Sequence, residues 1–180
     1  DSRNNNVHYG YVGIQHEFSP NLSGMVRGGA SYIDEYNAPT GASHSVTPYV
    51  DLNATYTFTP GSFVQVGFTQ DINATDVVAP DADGRLTEYQ QSSVVYGNLT
   101  HKFDSKLTGS LVGQYAHSKY KDGAYGNDAD DMVSAGVSLN YQFNNYFSAN
   151  LGYNFDELFS DISGRDYSRN RVYIGLGANY

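Results

Sequence analysis

The last ten residues, RVYIGLGANY, divide into two alternating rows. Val172, Ile174, Leu176, Ala178 and Tyr180 form an apolar row, while Arg171, Tyr173, Gly175, Gly177 and Asn179 form the other. The segment before repeats the pattern, with Phe147, Ala149, Leu151, Tyr153 and Phe155 against Ser148, Asn150, Gly152, Asn154 and Asp156. Further back, Val133, Ala135, Val137, Leu139, Tyr141 and Phe143 oppose Ser134, Gly136, Ser138, Asn140 and Gln142. A period of two sustained this long marks β-strand, because successive side chains leave opposite faces of the sheet. On a helix the same apolar residues would scatter around the axis.

The pattern extends through the chain and predicts nine strands, at 5–18, 22–36, 46–58, 63–73, 91–103, 107–120, 132–143, 146–157 and 169–180. These are longer than the roughly 5–6 residues usual in globular proteins. Four segments resemble one another: HEFSPNLSG from His16, YTFTPGSFV from Tyr56, HKFDSKLTG from His101 and YQFNNYFSA from Tyr141. Their phenylalanines, Phe18, Phe58, Phe103 and Phe143, stand 40, 45 and 40 residues apart. Each segment holds a short turn, and long connections at 37–45, 74–90, 121–131 and 158–168 alternate with these turns. Gly, Pro, Asn and Asp punctuate both kinds. No linker separates a second domain, so residues 1–180 read as one β-domain.

Composition decides what such strands pack against. The row opposite the apolar one is small and nearly uncharged, rich in Gly, Ser, Thr, Asn and Gln. A soluble sandwich would carry Lys and Glu there, yet charged residues make up only 16% of the chain. The chain holds 19 Gly and 17 Tyr but no Trp, which suits a pleated wall that is apolar on one side and roomy on the other. Strands of about 9–11 residues, tilted near 45°, span a bilayer, and only a closed sheet leaves no backbone edge unsatisfied in lipid. Aromatic residues fall at both ends of the strands. Phe18, Tyr56, Phe58, Phe103, Tyr141, Phe143, Phe147 and Tyr180 lie beside the short turns, and Tyr32, Tyr36, Tyr115, Tyr120, Tyr153 and Phe155 lie near the long connections. Such paired girdles mark the two membrane–water boundaries of a transmembrane barrel. Mean hydropathy is −0.49, and no apolar run is long enough for a membrane-spanning helix.

On these patterns the chain resembles the bacterial outer-membrane β-barrels of the porin-like type. The resemblance covers the whole chain as pattern, and its local motif is the final stretch from Tyr173 to Tyr180. This stretch is similar to the family's C-terminal assembly signal, in which Tyr173, Gly175, Ala178 and Tyr180 hold the marked positions; a terminal Phe is commoner than Tyr, and Ala178 is a small hydrophobic residue. The resemblance implies an antiparallel transmembrane β-barrel with short periplasmic turns, long extracellular loops and a last strand read by the barrel assembly machinery. Bacterial single-chain barrels have even strand counts. Nine strands therefore imply the C-terminal part of a larger barrel, completed by N-terminal strands or by another subunit, and the absence of a signal peptide implies a mature or trimmed chain.

The polar row carries few charges: Glu17, Arg27, Asp51, Lys102, Asp156 and Arg171. If that row lines a lumen, they tune ion selectivity or pair as wall structure. Gly13, Gly29, Gly136, Gly152, Gly175 and Gly177 on the same row read as open space in a wide lumen. His16 and His101 precede a repeat Phe by two residues and share its row. His117 has Ser118 beside it, but neighbours on one strand point oppositely, so the two do not form a base–nucleophile pair. The acidic stretches 79–84 and 127–131 lack the spacing and the bidentate Glu of an EF-hand. With no Cys, no thiolate metal site or disulfide exists. A net charge of −9 argues against nucleic acid as a partner. No cofactor, metal or catalytic residue is expected. The expected function is an outer-membrane pore passing small hydrophilic solutes, with membrane lipid and lipopolysaccharide as surroundings. A structural barrel anchoring a surface or polysaccharide-export assembly is the alternative, and a lipid-modifying barrel enzyme the third reading.

Overall fold

A computed structural model describes residues 5–35, 43–77, 79–87 and 89–178. They form one antiparallel sheet of nine strands in simple sequence order. The strands are β1 (Asn5–Ser19), β2 (Leu22–Glu35), β3 (Ser43–Thr59), β4 (Ser62–Ala74), β5 (Tyr89–Lys102), β6 (Leu107–Lys121), β7 (Ala129–Gln142), β8 (Phe147–Ser160) and β9 (Tyr167–Ala178). Every expected strand is present, and most boundary differences lie at the long-loop ends. There the ladder continues past the apolar alternation, because backbone pairing does not require an apolar row. Tyr36 and Tyr180, two of the expected girdle residues, lie outside the described residues.

The four similar segments are one structural unit, the short-turn end of a hairpin. In the first two, a bulge falls between Glu17 and Ser19 and between Thr57 and Thr59, at Phe18 and Phe58. In the last two, the equivalent residue starts the turn, with Phe103 N–H bonded to Leu107 O (2.9 Å) and Phe143 N–H to Phe147 O (3.0 Å). Each turn closes with its own chemistry. Ser19 Oγ accepts from the amides of Asn21 and Leu22 at 3.2 and 3.1 Å. Pro60 is followed by Gly61 at φ +81°, the sequence a type II turn demands. Asp104 Oδ1 accepts from Lys106 and Leu107 at 2.7 and 2.8 Å, and Asn144 Oδ1 from Tyr146 and Phe147 at 2.8 and 2.9 Å. The amides of Lys106 and Leu107 hold the Asp104 carboxyl below its ordinary range.

Paired residues share a face, so the register carries each row across the whole sheet. One polar rung reads Glu17, Ser23, Thr55, Gln65, Asn98, Val112, Gly136, Asn154, Arg171. An apolar rung reads Leu22, Tyr56, Val64, Leu99, Leu111, Val137, Tyr153, Val172. Most of the exposed large hydrophobic residues lie on the apolar face, and Val12, Ile14, Val172, Ile174 and Leu176 are each more than 70% exposed.

Among the described residues, buried hydrophobic residues occur only near the long-loop end, as Leu158 and two clusters. In one, Ile33, Ile72 and Tyr89 pack together with Val7 against them. By register Val7 and Ile33 belong to the polar face, whereas Ile72 and Tyr89 belong to the apolar face. Opposite faces meet in this way only if the upper ends of β4 and β5 pass on the polar side of β1 and β2. The parting lies between β3 and β4, whose ladder stops at Val50–Gln70 although both strands run on. β1 and β9 are the two edges of the described sheet, each with one neighbour.

Candidate functional site: the polar face and its loop cap

All six charged residues expected on one wall fall on the polar face. Arg27 lies opposite Asp51 in the register, and their side chains approach to 3.6 Å. The Arg27 guanidinium also stands 5.7 Å from the ring centre of Tyr11. Asp156 Oδ2 accepts two bonds from Arg169, at 3.0 and 2.7 Å. Arg171 faces Asn154, Glu17 faces Ser23, and Lys102 faces Thr108. The arrangement thus brings two of the six into one ion pair, gives Asp156 a partner that sequence reasoning passed over, and leaves the other three apart. Arg169 was legible as a polar-face residue, because it lies two positions before Arg171.

The glycines of this face do not leave open space. A Cβ at Gly152 would lie 2.2 Å from Tyr173 Cζ, one at Gly136 2.7 Å from Asn154 Oδ1, and one at Gly13 2.7 Å from Arg27 Cγ. Gly175 and Gly177 are covered by Asn150 and Ser148, and Gly29 meets the backbone of Gly10 and Tyr11. At all of these but Gly29 the missing side chain lets a cross-strand neighbour lie against the sheet, a recognised way of stabilising glycine in strands. The wall is therefore smooth rather than recessed at Gly13, Gly29, Gly152, Gly175 and Gly177.

At the long-loop end three connections are knitted into a cap. Val77 from the β4–β5 loop, Tyr120 and Tyr125 from the end of β6 and its loop, and Ile162 from the β8–β9 loop form one apolar cluster. Ala79 O accepts from Thr87 and from Ala124 across the loops, each at 3.2 Å. Thr87 Oγ1 donates to Asp122 O at 2.9 Å, and Tyr89 OH donates to Asp122 Oδ2 at 2.8 Å. Beneath them Asp130, only 7% exposed, accepts from Tyr120 OH, Ser160 Oγ and Arg165 Nη2. Arg165 also reaches Asp76 at 3.3 Å, so one guanidinium ties the β8–β9 loop to the β4–β5 loop and to β7. Tyr120, expected in the aromatic girdle, is instead fully buried on the polar face, paired with Gln90. It stands five residues from Tyr115, and an odd spacing on a strand puts the two on opposite faces. Sequence reasoning missed this cap because most of its contacts join residues 30 or more positions apart.

The girdle at the short-turn end is present as contacts. His16 packs edge-on against Phe18 and His101 against Phe103, each with centroids 4.7 Å apart. His101 also stacks on Phe58 at 5.7 Å. His117 and Ser118 do point apart: His117 Nδ1 lies 2.8 Å from Asp131 Oδ1, while Ser118 shares a 2.8 Å hydroxyl contact with Ser92. Among the described residues no serine hydroxyl is hydrogen-bonded to His117. In the acidic loop, Asp81 Oδ1 caps the amides of Asp83 and Arg85, both at 2.9 Å, with Gly84 at φ +80° closing the turn. That carboxylate serves the loop's own backbone, and no group of three metal-ligating side chains occurs among the described residues.

On the apolar face, Lys, Arg, Asp and Glu are confined to Asp34, Lys119, Lys121, Asp131 and Glu157 among the described residues, each within four residues of a strand's long-loop end. The rest of that face, down to the short turns, carries none. Residues 90–180, from β5 to the end, match the family model described as "Putative beta-barrel porin 2". No curated protein matches the chain. With its sheet of long antiparallel strands and its family match over half its length, the chain belongs to this family of membrane-embedded β-barrel porins.

Proposed function

We propose that this barrel is a passive pore of the bacterial outer membrane, admitting small hydrophilic solutes. The carrying observation is the division of the two faces. The apolar face is free of charge below its upper rim, whereas the other gathers Glu17, Arg27, Asp51, Lys102, Asp156 and Arg171. Lipid on the first side and water on the second satisfy both, since a charge facing the bilayer midplane costs roughly 2–4 kcal/mol. The short turns then lie in the periplasm and the long loops outside. The inward upper ends of β4 and β5, together with the loop cap, narrow the outer mouth. Because an unpaired edge is not tolerated in lipid, β1 and β9 are completed by further strands, so the nine strands belong to a larger barrel. Tyr173, Gly175 and Ala178 lie on β9, ready to serve the assembly machinery, with lipopolysaccharide around the rim; Tyr180 lies outside the described residues.

Reconstitution in planar bilayers tests this reading. The purified barrel should give stepwise ohmic conductance, and charge reversal at Arg171 should move the ratio of cation to anion permeability toward cations. A folded, membrane-inserted barrel that passes no current would refute the pore.

A further inference from the structure

On the polar face of β5 to β8 lies a basin of about 460 Å³, within the roughly 300–1,000 Å³ of small-molecule sites. Two adjacent rungs build it: Tyr96, Gln114, Ser134, Asp156 and, one step toward the short turns, Asn98, Val112, Gly136, Asn154. Gly136 is buried and forms the floor. Tyr96 reaches across Gly67, where a Cβ would stand 2.3 Å from its Cζ, so the ring lies against the sheet at one side. Asn98, Gln114 and Asn154 supply amides that both donate and accept. Asp156 supplies a carboxylate whose two bonds from Arg169 both go to Oδ2, neither using Oδ1. No unpaired charge lines the basin, so an anionic or cationic solute finds no counter-charge there.

An aromatic ring beside several two-way hydrogen-bonding groups, with charge balanced, matches a polyhydroxylated ring: C–H groups against the tyrosine, hydroxyls to the amides and carboxylate. We infer that this basin is a binding site for a neutral saccharide unit on the solute path. Its place on that path rests on the pore reading. A purely structural role for Tyr96 is its cover of Gly67. The fold supplies a control for the loss of a polar-face ring in Tyr49, which packs against Tyr9 and Tyr11 (5.6 and 5.4 Å between ring centres) outside the basin.

Maltohexaose, a neutral linear glucose oligomer, added to the barrel in planar bilayers should cause concentration-dependent current blocks. Tyr96→Leu should raise the half-blocking concentration about tenfold, and Tyr49→Leu should change it less than about twofold. Equal shifts in the two variants, or a conducting barrel that maltohexaose does not block, would overturn the site while leaving the pore standing. A barrel that never conducts would sink the pore reading instead. Calorimetric titration of maltohexaose into detergent-solubilised barrel then decides the site: Tyr96-dependent heats uphold it, and a flat titration overturns it.

Discussion

Placing an arginine at Val137 tests which face meets lipid, and by how much. On β7 the apolar row runs from Asp131 through Val137 to Phe143. Those twelve steps, at about 3.4 Å each and tilted near 45°, span about 29 Å, close to the roughly 30 Å hydrocarbon core. Val137 is therefore at mid-depth, and at 48% exposure it has little protein packing to lose. Val137→Arg should destabilise the barrel by about 2–4 kcal/mol, the cost of a midplane arginine. Leu139→Arg, about 5 Å nearer the short-turn boundary, should cost less because the penalty falls with depth. Ser138→Arg, on the polar face, should stay within about 0.5 kcal/mol. Urea unfolding from phosphatidylcholine vesicles, followed by heat-modifiable gel mobility, reads all three as midpoint shifts at constant slope. Equal costs at Val137 and Ser138, or none at Val137, would refute the assignment of faces.

Three further outcomes follow from particular contacts. A Cβ at Gly29 would lie 2.0 Å from Gly10 O, whereas one at Gly10 meets nothing; Gly29→Ala should cost about 1–3 kcal/mol in the same urea assay, and Gly10→Ala close to nothing. Asp130→Ala leaves the hydroxyls of Tyr120 and Ser160 without their acceptor and Arg165 with Asp76 alone. It should cost the cap about 1–3 kcal/mol, seen as faster amide exchange across 161–166 with the strands below unchanged. Because the Asp104 carboxyl is held below its ordinary range by the amides of Lys106 and Leu107, its contribution is present above the unfolded carboxyl's pKa and lost as pH falls through the folded one. Acid should lower the protection factors of those two amides, taken relative to their intrinsic exchange rates, and Asp104→Asn should remove that pH dependence of protection.

Strand existence and facing were legible in the sequence because a period of two is a local property of every strand. The 40-residue spacing was legible for the same reason: each repeat is one hairpin, and its Phe marks the same bulge or turn entry each time. The strand ends were less so, since the ladder runs on beyond the apolar rows at His44, Asp130 and Phe159. The covering of glycines could not be read, because it depends on register: Gly152 and Tyr173 are 21 residues apart and meet only through pairing of β8 with β9. The cap was hidden for a related reason. Arg165 and Asp76 are 89 residues apart, and no periodicity links two loops. Tyr120 shows how an aromatic residue at the right height is misassigned when its parity is not counted.

The chain contains no cysteine, so single cysteines for nitroxide labelling can be placed along β8 and β9 without background. Collision accessibility to oxygen and to a water-soluble nickel chelate, measured in vesicles, tests the central claim most directly. Labels at Leu151, Tyr153, Val172 and Ile174 should favour oxygen, those at Asn154 and Arg171 should favour the chelate, and the ratio should alternate residue by residue. A ratio that does not alternate, or that places Leu151 and Ile174 in water, would contradict the account.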